Sequence, residues 1–199
     1  MLKTAITGNM GSGKTTVCKI FESLGIPVFY ADTEAKKLYR NRDVIARVKH
    51  TFGTDVFDEN DHLRRQKLAE KVFHRPEALQ LLNNIIHPRL MQRYYLWLNE
   101  NAGHPYTLHE AAVIFENGLE KQFDFIINIS APENIRFQRI LKRDRLPDKE
   151  IIARMKRQWS EERKNNLSNA VIVNDGKRFL IPQVLKIHNL LINKSKGNL

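Results

Sequence analysis

A single cysteine, Cys18, stands among 199 residues, so neither an internal disulfide nor a cysteine-rich zinc site can form. A reducing compartment is the simplest context, and a cytoplasmic location is expected. No apolar run approaches the roughly 18 residues of a membrane span, and the opening MLKTAITGNMGSGKTT lacks the long apolar core of an export signal. Neither export nor membrane insertion is expected. The guanine-reading pattern N-K-x-D and the pattern D-x-x-G are both missing, which disfavours a switch-type GTPase. H-E-x-x-H is missing too, so His109-Glu110 does not begin a zinc motif. Acidic residues are scarce relative to basic ones: 22 Asp and Glu face 33 Lys and Arg, for a net charge of +11. Such a balance favours anionic partners, whether phosphorylated metabolites, nucleic acid or an anionic surface.

What is present suits a packed domain, with 42% hydrophobic and 28% charged residues. The length fits one domain, or one with an insertion. Leu2–Thr7 reads as a buried strand ending at Gly8. Val17, Ile20, Phe21 and Leu24 then recur at helical spacing, and Gly25 and Pro27 close that helix. A second strand is predicted over residues 27–31, which gives βαβ spacing and a parallel pair. Residues 33–101 are polar, charged and helical in pattern, with a predicted buried stripe of Leu79, Leu82, Ile86 and Leu90. Further strands are expected at residues 106–115, at Phe125–Ser130 and at residues 170–174, with helices at 132–143 and 178–192. The fold expected is three-layer α/β, a five-stranded parallel sheet whose ligands lie at the carboxyl ends of the strands. Residues 1–32 and 102–199 would form the core of this fold, and residues 33–101 a helical insertion in it.

Gly8-Asn9-Met10-Gly11-Ser12-Gly13-Lys14-Thr15 matches G-x-x-x-x-G-K-[ST] without a mismatch and sits between a predicted strand and a predicted helix. In such a P-loop the glycines let backbone N–H groups, continuing into Thr16, wrap phosphate oxygens at a helix N-terminus. Lys14 would reach the β- and γ-phosphates of ATP, and the Thr15 hydroxyl would ligate Mg²⁺.

Asp32 follows the second strand, either as the base that orients an acceptor hydroxyl or as the cap of the next helix. Residues 136–164 hold eleven Lys or Arg against five Asp or Glu. Arg139 and Arg143, four apart on one helical face within that stretch, suit a pair reaching one phosphate chain. A basic run of this kind also fits a nucleic-acid-binding ATPase, although no nucleic-acid module is recognisable. A kinase for a different small molecule is a further reading. Trp97 and Trp159 fall in predicted helices, where packing is their expected role.

Several motifs in one order carry a more specific resemblance. TGNMGSGKTT, LGIPVFYADTEAKKL, LRRQKLAEKVF, LLNNIIHPRL, VIFENGLEKQFDFIINISAPENIRFQRILKRD and RQWSEERKNNLSNAVIVNDG together resemble the dephospho-coenzyme A kinase family. That resemblance implies transfer of the γ-phosphoryl of ATP to the ribose 3′-hydroxyl of dephospho-CoA. It also implies that residues 1–32 and 102–199 are a nucleotide-binding core with a basic helical lid at about 144–166, and that residues 33–101 are a helical coenzyme A substrate-binding insertion. Asp32 matches the second acid of the family's D-A-D motif, the acid near the acceptor hydroxyl, whereas Tyr30 occupies the place of the first. His87, in the His-Pro pair preceding Arg89, matches a pattern of the helical domain, with Arg89 on substrate phosphate as the functional option. The alternative there is structural, with Pro88 breaking or kinking the helix and His87 bonding the freed backbone. Glu116 matches a glutamate at a strand end, placed to hold a Mg²⁺-bound water. Glu110 stands where the family is apolar, and a local pair with His109 is one possibility. Arg139 and Arg143 are implied as ATP-phosphate contacts, Asn174 as a residue near the adenine, and Gln158 as a further contact. A monomer or weak homo-oligomer without nucleic acid or membrane partners is expected.

Overall fold

The structure, a computed structural model, describes residues 1–72, 75–144 and 146–197. The chain divides into two compact units, one of Met1–Tyr30 with Asn101–Leu199, the other of Ala31–Glu100.

In the first unit β1 (Leu2–Thr7), β2 (Val28–Tyr30), β3 (Tyr106–Glu110), β4 (Phe125–Ser130) and β5 (Ala170–Val173) form one parallel sheet in the order β2-β3-β1-β4-β5. The strands read as apolar runs because both faces are covered. Consecutive residues point to opposite faces, yet Ala5 and Ile6 are both buried, as are Ile126 and Ile127. On one face, α1 (Lys14–Ser23) contributes Val17, Cys18 and Phe21, and α9 (Leu180–Ser195) contributes Val184, Ile187 and Leu191. These pack on Ile6, Leu108, Ile127, Ile129 and Ile172. Cys18 is wholly buried there, and burial pushes its thiol far up, leaving it a small inert hydrophobe. The unit is completed by α6 (Glu133–Asp144), α7 (Asp148–Met155) and α8 (Glu161–Leu167).

The opposite face of β3 carries His109, stacked on its register partner Phe29 at 5.3 Å and tilted against Phe123 at 5.1 Å. His109 and Glu110 thus lie on opposite faces of the sheet, because neighbours along a strand alternate. Burial among these rings pushes the His109 pKa down from 6.5 to about 4. The unfolded chain therefore binds a proton between those values that the folded chain refuses, and stability is lost as the pH falls from about 6.5 towards about 4. The full loss from this one group is roughly 3 kcal/mol. Replacing His109 by Phe should flatten that part of the curve in urea melts taken from pH 7 to pH 4; an unchanged slope would assign the acid sensitivity elsewhere.

The second unit is built from α2 (Ala31–Leu38), α3 (Arg42–Phe52), α4 (Arg65–Val72) and α5 (Pro76–Glu100). Asn41 caps α3 by accepting the N–H groups of Asp43 and Val44. The core of this unit gathers Val44, Ile45, Val48, Phe52, Leu68, Leu82, Ile85 and Ile86.

Four expectations need correction. β3 stops at Glu110 instead of running to residue 115, and the chain turns through residues 112–118. The backbone there is held by side chains, because the Ala112 carbonyl accepts from the Thr7 hydroxyl at 3.2 Å and from Lys164 Nζ at 2.9 Å. Pro88 neither breaks nor ends α5, which runs for 25 residues with Pro88 inside it. The carbonyl left without its N–H partner belongs to Asn84, an exposed residue that water can reach. The buried face of α5 is Leu82, Ile85 and Ile86, whereas Leu79 is 46% exposed. Finally, Trp159 lies between α7 and α8, outside any helix.

Candidate active site

Between β1 and α1 the chain makes a tight cradle with glycine at its closest approaches. Gly11 has φ +80°, and a Cβ there would sit 2.6 Å from the Arg136 carbonyl oxygen. Gly13 has φ +94°, and its Cβ would collide with the Asn174 amide. The loop folds on itself, with the Ser12 N–H donating to Asn9 O at 3.0 Å. Lys14, the first residue of α1, turns back to give its ammonium to Gly8 O at 2.9 Å. Asn9 is 3% and Ser12 0% exposed, while Thr15 and Thr16 open α1 with exposed side chains. No acidic residue stands in the first turn of α1, so its N-terminal partial charge is left for an anion.

A clamp closes one side of the loop. Arg139, on α6, donates to the carbonyls of Gly11 at 3.3 Å and Ser12 at 3.4 Å, and also to the Asn174 backbone and side-chain oxygens, each at 3.2 Å. Asn174, just past β5, returns its amide to Ser12 O at 2.7 Å. These two residues, 35 apart in sequence, therefore meet on the loop.

The segment read as a lid is stitched to the loop along its second half. Gln158 Oε1 accepts the Met10 N–H at 2.7 Å, and Trp159 O accepts from the Asn9 amide at 3.1 Å. Trp159 stacks on Phe115 at 6.4 Å and carries the Arg163 guanidinium 3.3 Å from its ring centroid. Arg136, 6% exposed, donates to Ala131 O at 3.0 Å and lies 3.5 Å from Glu161. A cavity of about 520 Å³ opens here, lined by Asn9, Arg136, Met155, Gln158, Trp159 and Asp175 among others.

Glu116 stands in the turn after β3 and not at a strand end. It is 2.8 Å from the fully buried Lys164 ammonium and accepts the Trp159 N–H at 3.1 Å. Its partners are those of a tie between the turn and α8. The carboxylate at the end of β3 is Glu110, 9% exposed and 3.9 Å from Lys14. Arg143 forms a forked pair with Asp144, at 2.6 and 2.9 Å. That guanidinium holds the Asp144 carboxyl below the usual carboxylate range.

In the second unit, Asp32 is the second residue of α2, directly after β2. Arg89 is bound to Asp43 through Nε at 2.8 Å and through Nη2, and donates to Ile85 O at 3.3 Å, so it ties α5 to α3. His87 is exposed on α5. A cavity of about 400 Å³ is lined by Lys36, Tyr39, Arg40, His62 and Arg65. The roles of Lys164 and Arg136 do not show in the sequence, because a basic run gives no sign of which cations are buried. Local spacing could have flagged only Arg136, one turn before Arg139.

Comparison with known proteins places these features in a family. Residues 2–179 match the model of the family described as Dephospho-CoA kinase. A Dephospho-CoA kinase from Salinibacter ruber is 38% identical over 179 residues, covering 88% of this chain and 90% of its own. A crystal structure from Thermus thermophilus superimposes with a TM-score of 0.85 at 30% identity, over 95% of this chain and 96% of the other. The Dephospho-CoA kinase from Campylobacter jejuni gives 0.70 at 25% identity, over 99% and 98%.

Proposed function

The chain belongs to the dephospho-CoA kinase family, and from that premise we propose that it transfers the γ-phosphoryl of ATP to the ribose 3′-hydroxyl of dephospho-CoA, giving CoA and ADP. The observation that carries the nucleotide half is the glycine cradle held by Arg139 and Asn174, with Lys14 at its helix end. Loop N–H groups and Lys14 take the β- and γ-phosphates, and positioning with charge stabilisation supplies most of the catalysis in such a loose transition state. Arg139 belongs to this clamp. Arg143, one turn further along α6, joins it by exchanging Asp144 for a phosphate oxygen.

Asp32 accepts the proton of the acceptor hydroxyl, a role supported by its match to the family motif and by its place immediately after β2. The basic cavity of the helical unit, with Lys36, Arg40 and Arg65, suits an acceptor bearing phosphates. His87 and Arg89 serve that unit, Arg89 by fixing α3 to α5. Among the described residues no helix is long and apolar enough to cross a membrane, and a small anionic substrate fits the net charge of +11. The moving part of the lid is α7 and its flanks, since residues 158–164 are tied to the loop and to Glu116. Closure of that part excludes water that would otherwise hydrolyse ATP.

Among the described residues no group of three or more His, Cys, Asp or Glu could hold a metal ion. That sparse donor set fits Mg²⁺, which keeps most of its waters and takes one or two protein oxygens beside substrate phosphates. Thr15 is the residue that would hold it, and when bound it neutralises charge on the β- and γ-phosphates.

Incubation with Mg-ATP and a panel of dephospho-CoA, AMP, gluconate and duplex DNA, scored for ADP release, tests the assignment. Release with dephospho-CoA alone is expected; stimulation by gluconate or DNA instead would replace the reading. Asp32→Asn should lower kcat about a hundredfold while leaving ATP binding unchanged. Near-normal turnover in that variant would remove Asp32 from the mechanism.

A further inference from the structure

α6 reaches the phosphate loop with two arginines, and only one of them has been given a task. Arg139 holds the loop directly, by the carbonyls of Gly11 and Ser12. Arg136 lies one turn earlier and makes different contacts: its Nε donates to Ala131 O at 3.0 Å and lies 3.5 Å from Glu161 Oε2. The same Glu161 oxygen accepts from Asn9 Nδ2 at 3.4 Å, and Asn9, the second residue of the loop, is 3% exposed. A chain of polar contacts therefore runs from α6 through α8 to the start of the loop. The Asn9 Oδ1 is buried and accepts from nothing among the described residues, so the orientation of that amide rests on its Nδ2 and the acceptors Glu161 and Trp159 O.

A carboxylate in that place needs an explanation. The loop is built to receive anions, and the Glu161 side chain beside it is only 23% exposed, so water screens its charge poorly and an uncompensated Glu161 repels polyphosphate. Among the described residues Arg136 is the cation within ion-pair reach of it. The other carboxylate oxygen, Oε1, is buried and accepts from nothing among the described residues, which leaves Arg136 as the partner of the charge. The Arg136 side chain is 7% exposed, and a guanidinium so deeply buried is kept in company with an acid. Helix charge does not require this inward placing of Glu161. Glu162 also stands in the first turn of α8 and is exposed, so an acid at that helix N-terminus is supplied without it.

We propose that Arg136 is a positioning residue for nucleotide binding: it neutralises Glu161 and turns that carboxylate toward Asn9, so that the start of the loop keeps its shape without presenting a free negative charge to ATP. This rests on the reading of the loop as the ATP site. Arg136 touches no phosphate and acts through Glu161. An unneutralised Glu161 opposes bound ATP and the transition state alike, so the loss of Arg136 falls on KM for ATP and leaves kcat nearly unchanged.

The test is steady-state ADP release with dephospho-CoA saturating and Mg-ATP varied, for the unmodified chain, Arg136→Met, Glu161→Gln and the double variant, each with a thermal melt. Arg136→Met should raise KM for ATP about 10-fold, within the range of coupling between members of one hydrogen-bonded network, with kcat within about twofold. Glutamine at position 161 keeps an acceptor for Asn9 and drops the charge. Glu161→Gln alone should therefore leave KM near that of the parent, and the double variant should bring KM back towards it even where its melting temperature stays low. Arg136→Lys, which keeps the charge, should also hold KM down. Arg136→Gln, neutral but still a donor, carries the same prediction as the methionine variant if methionine prevents folding. An unchanged KM on neutralising Arg136, a loss confined to kcat, or a double variant no better than Arg136→Met would each overturn the inference. No ADP release by the unmodified chain would instead overturn the reading of the loop.

Discussion

Lys14→Ala is expected to reduce phosphoryl transfer by about 10³-fold or more, at the level of kcat, with ATP still bound. The loop's other ligands for phosphate are backbone N–H groups, which a side-chain truncation leaves in place, and the helix N-terminus survives as well. Much of the ground-state affinity should therefore persist. What is lost is the one mobile cation of the loop, now bonded to Gly8 O at 2.9 Å and close to Glu110, which can follow charge as it develops on the transferring group. A loss confined to KM would mean that Lys14 binds substrate and transition state equally well. Arg139 cannot take its place, because its guanidinium is committed to the carbonyls of Gly11, Ser12 and Asn174. Truncation also removes the cation beside Glu110, so Lys14→Ala should be compared with Lys14→Ala/Glu110→Gln. Equal inactivity of the two, with a higher melting temperature in the double variant, separates catalytic loss from destabilisation. Turnover within tenfold of the parent in either variant would remove Lys14 from the chemistry.

The parts of this protein legible in its sequence are those specified by short-range rules. The phosphate loop was readable because its glycines, lysine and threonine lie within eight consecutive residues, and their backbone demands are local. Strands β1 and β4 were readable because both faces are buried, which makes an unbroken apolar run. β3 was overextended for the same reason. Ala111 to Phe115 is as apolar as a strand, and Ala111, Ile114 and Phe115 are buried, but in a turn fastened by Thr7 and Lys164. Burial was legible there; conformation was not. Pro88 misled in the opposite direction, since its cost falls on one carbonyl that exposed Asn84 leaves to water. Of the arginines on α6, spacing suggested that Arg139 and Arg143 act as one pair. In the structure Arg139 bonds to the loop, while Arg143 pairs with its immediate neighbour Asp144 at 2.6 Å. The identity of Lys164 as a buried cation was beyond any local rule, for its partner Glu116 lies 48 positions away in sequence.

Lys164→Met should destabilise the fold more than Lys14→Ala, Asp32→Asn or Glu110→Gln. The Lys164 side chain has no exposed surface, and its ammonium lies 2.8 Å from Glu116 and 2.9 Å from Ala112 O. Methionine matches the length of the stem and fills the space, so little is lost in packing. What remains is a carboxylate with 12% of its surface exposed and no counter-charge, and breaking one side of such a pair costs about 3–5 kcal/mol. For a chain of this size that lowers the melting temperature by roughly 10 °C or more. Adding Glu116→Gln removes the stranded charge, keeps an acceptor for the Trp159 N–H, and should recover most of the loss. The pair itself is then worth little against a neutral replacement, and its value lies in register. It fixes α8 to the turn after β3, and with it the Gln158 and Trp159 contacts to Met10 and Asn9. The double variant should accordingly melt near the parent while showing a raised KM for ATP, because the base of the proposed lid is no longer held in place. A single variant that melts within about 2 °C of the parent would show that Glu116 finds water or another donor. A double variant with an unchanged KM would show that the loop contacts hold without the anchor beneath them.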